Sequence, residues 1–183
     1  MKTADARFVA CSLVALTALT LAACDNPKPR VVPPDPMAAG PGMVEAVPPP
    51  TDGLSAGLSK RSEMAGFTLD RIGAAVDPLN RRPAVTPAAT ATVLDGFGFD
   101  PVARAPGKGV DVVVDGKAYG TTYGGERPDV ASYFKTPGLA PVGFATTLPA
   151  GALAAGPHSV VVRVVAADGK SFFESPVIPF EIR

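Results

Sequence analysis

The chain has 183 residues, with 17 Lys plus Arg balanced by 17 Asp plus Glu and 46% hydrophobic residues. Such a balance offers no broad field to draw it to DNA, RNA or an anionic bilayer, so no nucleic-acid partner is expected. A single histidine excludes multi-histidine zinc sites, and no glycine-rich phosphate loop with its G-K-[ST] ending occurs.

Lys2 and Arg7 precede an almost unbroken apolar run from Phe8 to Ala23. At about sixteen residues it is shorter than the roughly twenty a membrane helix needs, but it suits an export signal. The run closes with Leu21-Ala22-Ala23-Cys24, followed at once by polar Asp25-Asn26. This resembles the lipobox of bacterial lipoproteins. The resemblance implies a signal peptide over residues 1–23, cleavage before Cys24, and diacylglycerol on the Cys24 thiol. Each buried methylene contributes about 0.8 kcal/mol, so the acyl chains would keep the mature protein on a membrane. The alternatives are an ordinary secreted protein with a free Cys24 thiol, or a short membrane anchor. Asp25 after the cysteine resembles the inner-membrane retention signal of enteric-type lipoproteins. The expected location is therefore a periplasm-facing, lipid-anchored position at the inner membrane, with the outer membrane as the alternative. On this reading Cys11 is discarded and Cys24 is acylated, which leaves no pair for an intramolecular disulfide.

Residues 24–62 change to proline, glycine, alanine and small polar residues, densest at Pro33-Pro34, Pro36 and Pro48-Pro49-Pro50. Proline lacks a backbone donor and fixes φ, so an extended, semi-rigid tether is expected. Extended at about 3 Å per residue it would reach on the order of 100 Å from the lipid. It serves either as a spacer or as a leader whose length matters little.

Residues 63–183 read as one domain, because roughly 120 residues suffice to bury about two thirds of the unfolded surface. Short apolar alternations separated by Gly, Pro and Asp-Gly point to an all-β sandwich of about seven strands. Phe67, Leu69 and Ile72 mark an opening strand, and Thr92 to Phe99 a second, with Gly96 as a bulge where apolar parity shifts. Val110, Val112 and Val114 alternate with Asp111 and Asp115, which are expected to be outward and solvated, and the run ends at the Asp115-Gly116 hairpin signal. Between that hairpin and the next strand, Pro128 fits a first helical position, Asp129 the positive end of the dipole, and Val130, Tyr133 and Phe134 one side of a short helix. Gly143 to Leu148 is a further strand. Val160, Val162 and Val164 share a face before the Asp168-Gly169 turn, which leads to Ser171-Phe172-Phe173. Ile178, Phe180 and Ile182 face inward on a last strand whose Pro179 suggests a sheet edge.

The succession Gly96-Phe97-Gly98-Phe99-Asp100, Val112-Val113-Val114-Asp115-Gly116, Tyr123-Gly124, Arg127-Pro128-Asp129-Val130-Ala131, Gly143-Phe144, Leu153, Gly156 and His158 resembles a family of bacterial extracytoplasmic Ig-like modules. In that family the first aromatic is commonly Trp; here it is Phe97. The resemblance spans about residues 66–183 and implies an immunoglobulin-like sandwich acting as scaffold or binding module, with no cofactor.

His158 is expected to be structural, at the start of a core strand. Asp111 and Asp115, four residues apart on a strand, would stand roughly 13 Å apart, too far for either usual glycosidase geometry. No loop offers the D-x-D-x-D-G calcium pattern, although Asp95, Asp100 and Asp129 could converge from separate loops. Arg127 and Asp129 flank Pro128 beside Tyr119, Tyr123 and Tyr133, residue types favoured in recognition surfaces. Together they are the candidate ligand surface, against a structural reading in which they cap the helix and close the sandwich. The expected function is a non-catalytic binding or scaffold module in the envelope whose partner is a protein or polysaccharide. The alternative is a carboxylate-dependent enzyme or enzyme accessory subunit.

Overall fold

The computed structural model describes residues 52–183. The expected signal peptide, Cys24, Asp25 and the tether as far as Thr51 lie outside the described residues. Along the chain the strands are β1 (Ser59–Met64), β2 (Gly66–Ile72), β3 (Ala75–Val76), β4 (Ala84–Thr86), β5 (Thr92–Asp100), β6 (Ala105–Pro106) and β7 (Gly109–Val114). There follow β8 (Lys117–Gly120), β9 (Thr122–Glu126), the helix α1 (Pro128–Tyr133), a 3-10 turn at Pro137–Leu139, β10 (Pro141–Leu148), β11 (Gly156–Val165), β12 (Ser171–Glu174) and β13 (Ile178–Ile182).

These elements make a two-sheet, all-β sandwich. One sheet runs β1-β12-β11-β13-β4, with β7 on β11 and β8 on β7; the other runs β3-β2-β5-β10-β9, with β6 on β5. All seven expected strands are present, joined by six others (β1, β3, β4, β6, β8 and β9) whose sequences show no apolar alternation. The period-2 patterns aim Val110, Val112, Val114, Val160, Val162, Val164 and Phe173 into one core with Leu69, Leu94, Phe144 and Leu148 of the facing sheet.

β11 is central in its sheet. β7 lies along Val160–Val165 on one side, while β12 and β13 share the other, at Arg163–Val165 and Gly156–Val160. Ser175 bridges the break between β12 and β13. Its N–H donates to Val162 O at 2.9 Å, and its Oγ accepts from Val162 N at 2.9 Å, so the kink leaves neither backbone group of Val162 unpaired.

Four expectations need correction. The tether boundary at Ser62 falls inside β1, and before it Leu54 and Ser55 already bond to the domain. Asp111 is not solvated: it is 0% exposed, and its carboxylate accepts from Leu54 N at 2.9 Å and Ser55 N at 2.8 Å. The strap of residues 52–55 therefore covers the outer side of β7 at Asp111 and Gly109, and every residue of that strand is buried. Thirdly, β13 is not an edge strand, since it pairs in parallel with β4 from Phe180 onward. Pro179 is tolerated because that pairing begins one residue later, where its missing N–H is not called upon.

The fourth correction concerns the bulge. Leu69 opposes Gly96 and Arg71 opposes Asp95, so the extra residue is Asp70 on β2, while β5 keeps a continuous register with β10. Gly96 answers that bulge. A Cβ there would lie 2.1 Å from Thr68 O, so only glycine lets β2 come this close.

Candidate functional site

The excursion from β9 through α1 and the 3-10 turn folds back on the outer face of the second sheet. Phe99, Val130, Leu139 and Val142 are buried there as a small second core, with Phe97 and Phe134 packed against it. The rings of Phe99 and Phe134 meet edge to face at 5.0 Å, a favoured quadrupole geometry. Pro128 and Asp129 open α1 as their residue types suggest, and the N-cap residue is Arg127.

Arg127 organises this face. Its Nη1 donates to Asp70 Oδ2 at 2.6 Å, while Nε and Nη2 donate to Asp129 Oδ1 and Oδ2 at 2.9 Å and 2.8 Å. The guanidinium also lies 5.2 Å over the Phe97 ring, so its planar fork is used on both edge and face. The hydrogen bonds to Asp129, followed by the charge of Asp70, hold its proton more tightly than in a free arginine, against the opposing effect of burial. In return, the hydrogen bond from Arg127 holds the Asp129 carboxyl below its usual range.

Two open depressions share Asp70. One has a floor of Gly96, Gly125 and Gly143 and a rim of Asp95 and Arg127. The other, about 460 Å³, is bounded by Phe97, Phe134, Tyr133, Thr68 and Asp129. Tyr133 stands 81% exposed beside it, its ring edge-on to Phe134 at 5.0 Å.

Of the five residues expected to form a ligand surface, Arg127, Asp129 and Tyr133 are brought together and two tyrosines are not. Tyr119 is buried in the main core. Tyr123 accepts from Gly107 N at 3.0 Å and donates to Gly98 O at 2.8 Å, and burial raises its phenol pKa. It closes the sandwich, as the structural reading anticipated. Asp70, Phe97, Phe134 and Thr68 join the site without having been expected in the ligand surface. Asp70 and Arg127 are 57 residues apart, and no local spacing signals their pairing.

Asp95, Asp100 and Asp129 do not meet at one site: Asp95 borders the first depression with Asp70 and Glu126, and Asp129 the second. Asp95 pairs with Arg71. Asp100 is buried and accepts from Val102 N, Ala103 N and Ala167 N. Asp111 holds the strap, and Asp115 contacts His158. Among the described residues, no group of three His, Cys, Asp or Glu side chains is placed to hold a metal ion, and no helix is long and apolar enough to cross a membrane.

Arg127→Ala tests whether this guanidinium sets the face. Loss of a partly exposed ion pair and a cation–π contact costs about 1 kcal/mol of global stability. The local effect is sharper, because the Asp129 carboxyl should titrate at higher pH once its donor is gone. Carboxyl-detected NMR titration of the two chains reads it directly.

No family model matches the chain, and no curated protein matches it. A solved endo-beta-1,4-mannanase from Thermotoga petrophila is similar over 67% of this chain and 20% of its own, with TM-score 0.38 and 13% identity. The chain thus spans about a fifth of that enzyme's length, and a likeness at this level informs neither fold type nor activity.

Proposed function

We propose that this protein is a lipid-anchored envelope protein whose Ig-like sandwich is a non-catalytic binding module, engaging its partner at the groove beside α1. The observation that carries the reading is the division of labour on that face. Arg127, Asp70, Asp129, Arg71 and Asp95 are held in internal ion pairs, while Tyr133 projects an aromatic ring beside the half-buried Phe97 and Phe134. Groups already paired are poor proton carriers, and a fixed, charge-compensated rim around aromatic rings suits recognition.

The two-sheet stack supports the Ig-like assignment: the four strands β2-β5-β10-β9 of one sheet face β8-β7-β11 and the kinked β12–β13 strand of the other across one core, the layer arrangement such domains use. The N-terminal Leu21-Ala22-Ala23-Cys24 supports lipid anchoring. With the folded part reaching back to Asp52, about 27 residues remain as tether, a reach of roughly 80 Å when extended. An envelope polysaccharide or protein is the partner class, and inner-membrane placement follows from Asp25.

Mass spectrometry of the mature amino terminus should find acylated Cys24, and Cys24→Ser should release the chain from membranes. Tyr133→Ala should leave stability within about 0.5 kcal/mol and weaken partner capture tenfold or more, about 1.4 kcal/mol. An unacylated terminus sinks the anchoring half of the proposal. Turnover of an envelope glycan by the purified chain would replace the binding half with an enzymatic one.

A further inference from the structure

His158, near the start of β11, has an 11% exposed side chain and packs 5.4 Å from the Phe180 ring. Its Nδ1 lies 2.6 Å from Asp115 Oδ2 and its Nε2 2.7 Å from Ala154 O. Both neighbours are acceptors, a carboxylate and a backbone carbonyl. A neutral imidazole has one N–H and one lone pair, so it satisfies one of them and turns a lone pair towards the other; only the imidazolium donates to both.

The two acceptors belong to different segments. Asp115 starts the turn between β7 and β8 and also accepts from Ser159 N at 2.9 Å. Ala154 lies in the loop of residues 149–155 between β10 and β11. That loop lays Ala152 and Leu153 against the main core, and with Val114 and Tyr119 it borders a small, partly open cavity beside the ring.

We propose that His158 is a pH-operated latch: its imidazolium ties loop 149–155 to the β7–β8 turn, and loss of one proton frees the loop to open over the Tyr119 end of the core. In the neutral ring the Asp115 carboxylate keeps the proton on Nδ1, so the Ala154 contact is the one given up. The other charges facing the ring are few. Lys117 of β8 lines the same cavity and opposes the cation, while loop 149–155 carries no ionisable side chain. From β13 the ring meets Phe180, and Glu181, opposite Pro157, is engaged by Arg183.

Burial disfavours the imidazolium, but the bonds to Asp115 and Ala154 outweigh it and raise the pKa above the ordinary 6.5. Burial likewise acts against the Asp115 carboxylate, and the bonds from His158 and Ser159 outweigh it, lowering its pKa below 3.8. A raised histidine contributes stability below its unfolded pKa and loses it as pH rises through the folded one. A lowered carboxyl loses its contribution as pH falls through its folded value. The latch therefore holds between those two limits and opens on the alkaline side.

His158 is the sole histidine of the chain, so its ring signals in the purified full-length protein need no assignment. The amides of residues 152–155 should titrate with the ring's midpoint, above 6.5. Across that step their protection from hydrogen exchange, corrected for intrinsic rates, should fall by about tenfold for each unit of pKa displacement. Asp115→Asn should lower the ring's midpoint, and His158→Gln should abolish the step. Loop amides that ignore the ring's titration, or a ring titrating at or below 6.5 in the unsubstituted chain, overturn the latch.

Discussion

Replacing Asp111 with alanine should destabilise the protein by about 3 kcal/mol and free the strap that enters the domain. The carboxylate is 0% exposed and is the acceptor for two backbone donors, Leu54 N and Ser55 N. Truncation removes the acceptor of both N–H groups, the part-buried one of Leu54 and the buried one of Ser55, and an unsatisfied buried donor costs roughly 1–3 kcal/mol. The strap also lies close against the sheet at Gly53. Gly53 has φ of +74°, and a Cβ there would stand 2.9 Å from the Ala118 Cβ and 2.8 Å from Asp111 Oδ2. Asp111→Asn keeps one acceptor oxygen and should lose about half as much. Urea denaturation of the full chain measures the difference, and limited proteolysis should cut between Asp52 and Leu58 far faster in the alanine variant. An alanine variant within 1 kcal/mol of the parent would mean that the strap merely rests on the sheet. If the chain is anchored as proposed, a pull on its N-terminal side would meet this carboxylate before it reached β1.

Asp111 also marks where sequence reasoning stops. Alternation told correctly that Val110, Val112 and Val114 face the core, but parity divides a strand into only two faces. It does not reveal that the second face is covered by a Gly- and Ser-containing stretch with no apolar rhythm of its own, which composition merged with the tether. The same blindness to distant partners hid Asp70: the parity shift on β5 marks Phe97 and Phe99 turning to the outer core beneath α1, while the bulge itself lies on β2. Arg127 and Asp129 were legible because they are two residues apart; their third partner was not. Tyr133 was grouped with Val130 and Phe134 by helical spacing. At about 100° per residue, however, position 134 falls closer to the face of Val130 than position 133 does. In a helix of six residues that difference leaves Val130 buried and Tyr133 in solvent. That exposure leaves Tyr133 in the candidate ligand surface, where its residue type had also placed it, and outside the packing.

Gly96→Ala should be the most damaging single-methyl substitution on the groove side, at about 3 kcal/mol. Overpacking commonly costs 1–3 kcal/mol, and the upper end applies where the neighbour cannot yield. Here the neighbour is backbone: the added Cβ would meet Thr68 O at 2.1 Å, the Thr68 carbonyl carbon at 3.0 Å and Leu69 Cα at 3.1 Å. Relief requires β2 to lift from β5 at the bulge, and Asp70 is the bulged residue. Moving it withdraws the carboxylate that meets Arg127 Nη1 at 2.6 Å, so the groove should loosen in proportion as the sheet weakens. Gly138→Ala is the control, because that position has nothing within 4 Å and should shift stability by no more than about 0.5 kcal/mol. Denaturation midpoints of both variants, read beside the Asp129 carboxyl titration, separate the two effects. If Gly96→Ala proved as benign as the control, β2 would not press on β5 at this point, and the bulge could not be what aims Asp70 at the groove.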